Sequence, residues 1–277
     1  MARLNFGYLQ RGSFKVDLKG RFFGEPNLLK RLQADALFKA LDVREGMQAL
    51  DVGCGSGYLT VELAREGANA VGVDVNPFVN TIRIPSSLRG RLKYQQASGA
   101  SLPFEDGKFD VVLASEVLPM LPEPEPFVRE IRRVIKPGGR LVVANGVGPI
   151  PIRRAYEMND PRLAKLRHRY SDRFPSSYAD YALAFQRSAG TSRNDFLGVD
   201  DMTALLSDYG FAIGSISHSP GRRAGDWFAW RQFHHFLATG KIVLQLPFLP
   251  AFVYLSMLSR GDTEGYEGMP IIVAHAI

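Results

Sequence analysis

The chain is read as a doubly wound α/β fold: a seven-stranded, mostly parallel sheet with an antiparallel last strand, plus cap insertions. Three observations predict it. Short apolar runs bounded by turn residues alternate with stretches of helical period, as in parallel strands covered on both faces. The first run, 49–52, leads into a glycine turn, Gly53-Cys54-Gly55-Ser56-Gly57. The second, 70–73, ends in Asp74. A carboxylate about twenty residues past such a turn is well placed to accept hydrogen bonds from the two hydroxyls of a ribose.

Each element has its own justification. Leu28, Leu29, Leu32, Ala36, Leu37, Ala40 and Leu41 recur at helical spacing and predict a helix over 28–41. Strand one is expected at 48–52 and its helix at 58–66, stopped by Gly67. Strand two spans 70–74, and 77–91 reads as a helix broken by Pro85. Strands three, four and five are expected at 92–97, 109–115 and 140–146, followed by helical stretches at 161–170, 177–188 and 199–208. Strand six is placed at 211–217 and the last strand at 270–277. The right-handed crossover rule winds these strands into one sheet, with ligands expected at their carboxyl ends. Both the glycine turn and Asp74 fall at such ends. The chain is taken as one domain over 1–277, with core strands within 28–147, 200–218 and 270–277 and a cap drawn from 1–26, 148–199 and 219–269.

Composition narrows the setting. Among 277 residues, 45% are hydrophobic and 22% charged, which suits a packed core and argues against wholesale disorder. The lone cysteine, Cys54, cannot pair internally, and residues 1–20 show no continuous apolar block; a reducing, cytoplasmic location is expected. A net charge of +6 favours nucleic acid, an anionic membrane surface or an acidic substrate, or serves solubility alone. No cysteine pair, no H-x-x-x-H and no G-x-S-x-G occur, so neither a metal nor a nucleophile elbow is expected. The glycines follow G-x-G-x-G rather than the dinucleotide spacing G-x-G-x-x-G, which points to a nucleoside without phosphates and away from a nicotinamide oxidoreductase.

Further motifs lie in register. Leu102-Pro103-Phe104 leads into Phe109-Asp110-Val111-Val112; Ser115-Glu116-Val117-Leu118 follows; and 127–139 ends Ile135-Lys136-Pro137-Gly138-Gly139. With the glycine turn, these make residues 28–147 resemble the class I S-adenosylmethionine-dependent methyltransferases. The resemblance implies S-adenosylmethionine as cofactor and S-adenosylhomocysteine as product. It implies that Asp51 meets the cofactor's amino-acid end, its alternative being a cap on the turn amides. Gly53, Gly55 and Gly57 would allow close approach, with Cys54 a small filler beside them. Asp74 would hold the ribose, flanked by Val75 and Asn76. Where the family often has an Asp facing adenine, this chain has Ser98, so the Ser98 hydroxyl or the Gly99 and Ala100 amides take that place. Ser115 and Glu116 would lie near the methyl group, Glu116 polarising the acceptor or serving as an ordinary hydrogen-bonding residue. Met120 stands where many relatives have His, so a His-based mechanism does not carry over. Tyr8 and Tyr58 are candidates to face the sulfonium. His168, His234 and His235 are the imidazoles outside the sheet available as a base.

Some fifty residues, 219–269, separate the last two strands, far more than a hairpin needs. Trp227, Phe228, Trp230, Phe233, Phe236 and Leu237 form an aromatic amphipathic stretch with Arg231, His234 and His235, and 242–258 is almost wholly apolar. One membrane crossing would need about twenty apolar residues and would strand the final strand across the bilayer from its sheet. Two readings stand: a buried lid over an apolar substrate, or an interfacial element giving peripheral membrane contact through 227–258. The expected function is methyl transfer to a bulky apolar small molecule such as an isoprenoid, quinone, polyketide or lipid. RNA methylation, suggested by the basic balance, ranks lower because no RNA-binding module is recognisable. A non-catalytic cofactor-binding scaffold is the third reading.

Overall fold

A computed structural model describes residues 28–189, 197–242, 248–259, 262 and 264–277. The arm 1–26, with Tyr8, lies outside the described residues. The central element is a seven-stranded sheet in the order β3-β2-β1-β4-β5-β7-β6. Its strands are β1 Gln48–Val52, β2 Asn69–Asp74, β3 Leu92–Gln96, β4 Phe109–Ser115, β5 Ile135–Ala144, β6 Phe211–His218 and β7 Pro270–Ala276. The first five pair in parallel, and β7 runs antiparallel to both β5 and β6. The doubly wound, mostly parallel architecture expected from the sequence is the one observed.

Period-two alternation divides the core into two layers. Leu50, Val52, Val112 and Val143 face one way, against helices α3 Glu125–Val134 and α7 Val199–Asp208 through Phe127, Ile131, Met202 and Leu206. Ala49, Val111, Leu113 and Val142 face the other way, against α1 Leu28–Leu41 and α2 Tyr58–Arg65 through Leu37, Leu41, Val61 and Ala64. Asp51 shares the second face, which turns its side chain toward α2.

Boundaries departed from expectation in three places. Strand β5 begins at Ile135 rather than 140 and ends at Ala144 rather than 146. The Lys136-Pro137-Gly138-Gly139 turn is accommodated as a register shift between Phe109 and Val111 of its neighbour. The 77–91 segment forms two short 3₁₀ turns, Pro77–Thr81 and Ser86–Leu88, on either side of the predicted break. A helix over Ile150–Glu157 (α4) lies outside the expected helical stretches; Pro149 precedes it, and Pro151 occupies its first turn, where no amide partner is needed.

Beyond α4, the cap contains α5 Pro161–Arg169, α6 Tyr178–Ala189, α8 Arg222–Thr239 and α9 Phe248–Ser259. Two apolar clusters of its own hold it together. Ile152, Leu163, Leu166, Tyr181, Phe233 and Leu237 form one; Ala224, Phe228, Ala251, Leu255, Tyr266 and Met269 form the other. The Gln33 amide donates to the Met269 carbonyl at 3.0 Å, tying α1 to the chain just before β7. Tyr266 lies across the cap so closely that a Cβ on Gly225 would stand 2.0 Å from its ring. Gly225→Ala gains about 1 kcal/mol of helix propensity, but it forces this contact apart at about 1–3 kcal/mol. The expected outcome is a net loss of stability in urea unfolding; an unchanged or raised midpoint would show that α8 does not pack on Tyr266 in this way.

Candidate active site

The glycine turn is bound to the tip of β2 by three amides. Gly53 and Cys54 both donate to the Val73 carbonyl, at 2.8 and 2.9 Å. Gly55 N donates to Asp74 Oδ2 at 2.8 Å, while Asp74 Oδ1 accepts from Asn76 N at 2.9 Å. Gly53, Gly55 and Gly57 all have positive φ, at 74°, 52° and 76°, a region that side chains disfavour. Their surroundings differ. A Cβ on Gly53 would meet Val117 at 2.4 Å, and one on Gly57 would meet the Tyr94 hydroxyl at 2.4 Å; one on Gly55 would meet nothing within 4 Å. Open space therefore lies over Gly55, beside the half-buried Asp74 carboxylate.

Beneath the turn, Asp51 is almost wholly buried, 1% exposed. Its Oδ2 accepts from the Thr60 hydroxyl at 2.6 Å. Burial pushes its carboxyl up to about 7, with the Thr60 hydrogen bond opposing that rise and the nearby charge of Asp74 adding to it. Burial and the charges of Asp51 and Asp74 likewise push the Cys54 thiol up, so it is no thiolate nucleophile. Gly72 gives room for this arrangement: a Cβ there would stand 2.8 Å from the Thr60 hydroxyl and 2.9 Å from the Tyr94 ring. Tyr94 in turn donates to the Gly57 carbonyl at 3.0 Å.

Two further segments lie at the same end of the sheet. Val75 and Phe78 are exposed apolar residues following Asp74, at 66% and 45%, and the Asn76 side chain accepts from Phe78 N at 3.0 Å to hold that segment. Opposite, Ser98, Gly99 and Ala100 form a tight turn in which the Ser98 hydroxyl accepts from Ala100 N at 3.2 Å. A Cβ on Gly99 would strike the Phe127 ring at 2.5 Å, so this glycine serves close packing on α3. Glu130 and Arg133 anchor the adjoining Leu102-Pro103-Phe104 turn: Leu102 N donates to Glu130 Oε2 at 2.6 Å, and Arg133 donates to the Phe104 and Leu102 carbonyls.

At the tip of β4, Ser115 and Glu116 come next. Glu116 has φ 58°, an uncommon conformation for a side-chain-bearing residue. Its backbone amide donates to the Ala144 carbonyl at 3.0 Å, and its carboxylate accepts from Gly146 N at 2.9 Å. Ser115 Oγ lies 3.5 Å from the same Ala144 carbonyl. Asn145, fully buried between these residues, has a side-chain oxygen without a hydrogen-bond partner.

The structure thus brings Asp51, Gly53, Cys54, Gly55, Gly57, Asp74, Val75, Asn76, Ser98, Gly99, Ala100, Ser115 and Glu116 to one end of the sheet, as their strand positions foretold. Tyr58 opens α2 directly behind the turn. Met120, in place of the relatives' His, is 41% exposed. The imidazoles are elsewhere: His168 on α5, His234 and His235 on α8. Burial and the neighbouring Arg231 and Arg169 lower the His234 pKa, and its ring lies 6.5 Å from Trp230. No hydrogen bond, ion pair or ring contact of His234 or His235 with a strand-tip residue occurs among the described residues. Thr60, Tyr94, Glu130 and Arg133 are supporting residues that sequence reading missed, since only tertiary contact reveals what they hold. A cleft of about 470 Å³ between α4, α5 and α8 contains none of the predicted cofactor residues. Its Arg154, Arg162 and Arg222 are each engaged by a carboxylate. Among the described residues no cluster of three or more His, Cys, Asp or Glu side chains could hold a metal ion.

Comparison with known proteins accords with this geometry. A family model described as a methyltransferase domain matches residues 50–143. Demethylmenaquinone methyltransferase of Tropheryma whipplei (strain Twist) is 34% identical over 186 residues, covering 64% of this chain and 71% of that protein. The chain belongs to the S-adenosylmethionine-dependent methyltransferases. Two solved structures share the fold. An S-adenosylmethionine-dependent methyltransferase from Mesorhizobium loti has a TM-score of 0.53 at 15% identity, over 88% of this chain and 97% of that one. The [4+2]-cyclase SpnF has a TM-score of 0.54 at 22% identity, over 87% and 79%.

The residues present fit this family's cofactor: a glycine with open space above it, a carboxylate beside it, and two exposed apolar side chains, Val75 and Phe78, shortly after that carboxylate. The buried acid underneath makes a pH prediction. An unfolded chain ionises Asp51 near pH 4, whereas the fold resists ionisation until about 7. The unfolded state therefore binds fewer protons in that window, and this residue's contribution to stability falls as pH rises from about 4 to about 7, then levels. The drop is at most roughly 4 kcal/mol. Urea unfolding across this range should show a smaller decline for Asp51→Asn than for the wild type; parallel curves would mean that Asp51 ionises freely in the fold.

Proposed function

We propose that this methyltransferase acts on a bulky apolar small molecule of the prenylated-quinol kind, bound between the strand tips and the cap. The observation that carries the reading is the placement of Glu116. Its carboxylate projects from a left-handed backbone at the tip of β4 and is held by Gly146 N. Gly146 also borders Gly268, which lies against the Tyr266 ring of the apolar cap. A charged acceptor would find few polar partners in such aromatic surroundings, whereas an apolar ring suits a pocket lined in this way. The relative named for demethylmenaquinone supports the same class.

In this reading Asp74 accepts hydrogen bonds from the ribose hydroxyls, Val75 and Phe78 flank the base, and the Ser98–Ala100 turn meets its edge. Asp51 lies under the amino-acid end. When bound, the cofactor would supply an activated methyl group for direct transfer to the acceptor. The chain's own contribution is chiefly alignment, which at near-attack geometry is worth about 7–11 kcal/mol. Glu116 takes the proton that the acceptor releases.

Transfer of labelled methyl to a demethylmenaquinol or another prenylated quinol tests the proposal. Glu116→Gln should lower kcat by about 10²–10⁴-fold while leaving cofactor affinity unchanged by calorimetry. Asp74→Ala removes charge-assisted hydrogen bonds worth about 1.5–3 kcal/mol, so cofactor Kd should rise roughly ten- to a hundredfold. Label entering only RNA from a mixed extract would overturn the acceptor class. Equal cofactor affinity in wild type and Asp74→Ala would overturn the site.

A further inference from the structure

The outer face of the cap carries a feature that the methyl-transfer site does not use. On α9, Ala251 and Leu255 turn inward to the cluster around Tyr266. Val253, Tyr254 and Met257 turn outward and are 51%, 46% and 62% exposed. On the adjoining helix α8, Arg223, Trp227 and Arg231 recur every fourth residue and so share one stripe. The two faces are continuous, because the Trp227 and Tyr254 rings meet edge to face with centroids 5.2 Å apart. Arg231 extends over Trp227 at 5.8 Å.

The charges on this face are unbalanced. Neither Arg223 nor Arg231 forms an ion pair among the described residues. The nearby acids are engaged within the fold. Asp226 lies 3.8 Å from Arg222, Glu264 pairs with the same guanidinium, and Asp262 accepts from the backbone amides of Arg223 and Glu264. An apolar strip of Val253, Tyr254 and Met257, edged by Trp227 and flanked by two free guanidinium groups, has the composition of an element lying in a membrane interface. Amphipathic rings suit the headgroup level, and guanidinium groups suit anionic lipid. No helix among the described residues is long and apolar enough to cross a membrane, so the contact is one of lying on the surface.

We infer that the α8–α9 face docks on an anionic phospholipid bilayer through Val253, Tyr254 and Met257, with Arg223 and Arg231 on the headgroups. The inference stands on the outer surface alone and survives a different acceptor. Both tryptophans of the chain, Trp227 and Trp230, lie on α8, so intrinsic fluorescence reports on this face. The full chain is titrated with vesicles of phosphatidylcholine alone and of phosphatidylcholine mixed with phosphatidylglycerol. Expected are a blue shift and co-sedimentation with the anionic vesicles only, weakening as salt is raised. Arg223→Ala combined with Arg231→Ala should weaken binding by at least about tenfold, at roughly fivefold per charge. Val253→Asp combined with Met257→Asp should abolish it, with cofactor binding unchanged as the check on folding. Binding that is equal in wild type and both double variants, or absent altogether, overturns the inference. So does sedimentation showing that Met257→Asp splits a dimer, which would make the occupant a second copy of the chain.

Discussion

One carboxylate determines whether the glycine turn has a defined shape. Through its two oxygens Asp74 receives the amide of Gly55 from one strand tip and the amide of Asn76 from its own. Three consecutive odd-numbered glycines with positive φ would otherwise sample many conformations, since glycine loses more backbone freedom on ordering than any other residue. The Val73 carbonyl adds two further amides and closes the turn against β2. The spacing between glycines and acid is therefore structural before it is chemical. The parallel pairing of β1 with β2 places the turn and the acid at adjacent tips, and the hydrogen bonds follow from that adjacency. A side chain so committed still has exposed lone pairs toward the open space over Gly55.

Asp51 is a different kind of acid. It is enclosed in a strand whose neighbours are Leu50 and Val52, and its Oδ2 is satisfied by the Thr60 hydroxyl. Burial of an ionised carboxylate without a cation is costly, and no Lys or Arg pairs with Asp51 among the described residues. A buried acid without a cation beneath the glycine turn is a functional hint of the ordinary kind, because groups with raised pKa concentrate at binding sites. A cation brought to the turn would stabilise the charged form, and the energy recovered would appear as affinity. The fold alone gains nothing from ionising Asp51.

The parts legible in the sequence were those fixed by local rules. The short apolar runs of β1, β2 and β4 and the glycine spacing located the sheet and the end of it where the turn lies. The fifty-residue separation of the last two strands announced a cap. What stayed hidden was long-range. Strand β5 starts early because Ile135 pairs with Phe109 ahead of the Pro137-Gly138-Gly139 turn, and no pattern within the strand signals that pairing. Thr60 and Tyr94 read as ordinary helix and strand residues until Gly72 brings both against the turn. Gly99 looked like a free amide in a cofactor-facing turn; its lack of a Cβ is also what lets Phe127 pack beneath it. The apolar stretch 242–258 was read as either lid or interface; within it, α9 has a buried inner face and an exposed outer one.

That two-faced helix bears on how this fold diversifies. The sheet and its glycine turn form one layered core, whereas the cap has its own clusters and joins the core through the Gln33 amide on the Met269 carbonyl, Leu32 packed against the cluster around Tyr266, and Val147 N donating to the Gly268 carbonyl. Neither cap cluster contains a residue of β1, β2 or the turn between them. The same architecture occurs in a methyltransferase and in a [4+2]-cyclase, so the sheet alone does not dictate the chemistry. The chain is most individual in its inserted helices, which are held together by apolar clusters of their own. The insertion enters between β6 and β7, at the border of the sheet. From there the inner face of α9 packs against Tyr266 and Met269, while Val253, Tyr254 and Met257 stay exposed on its outer face.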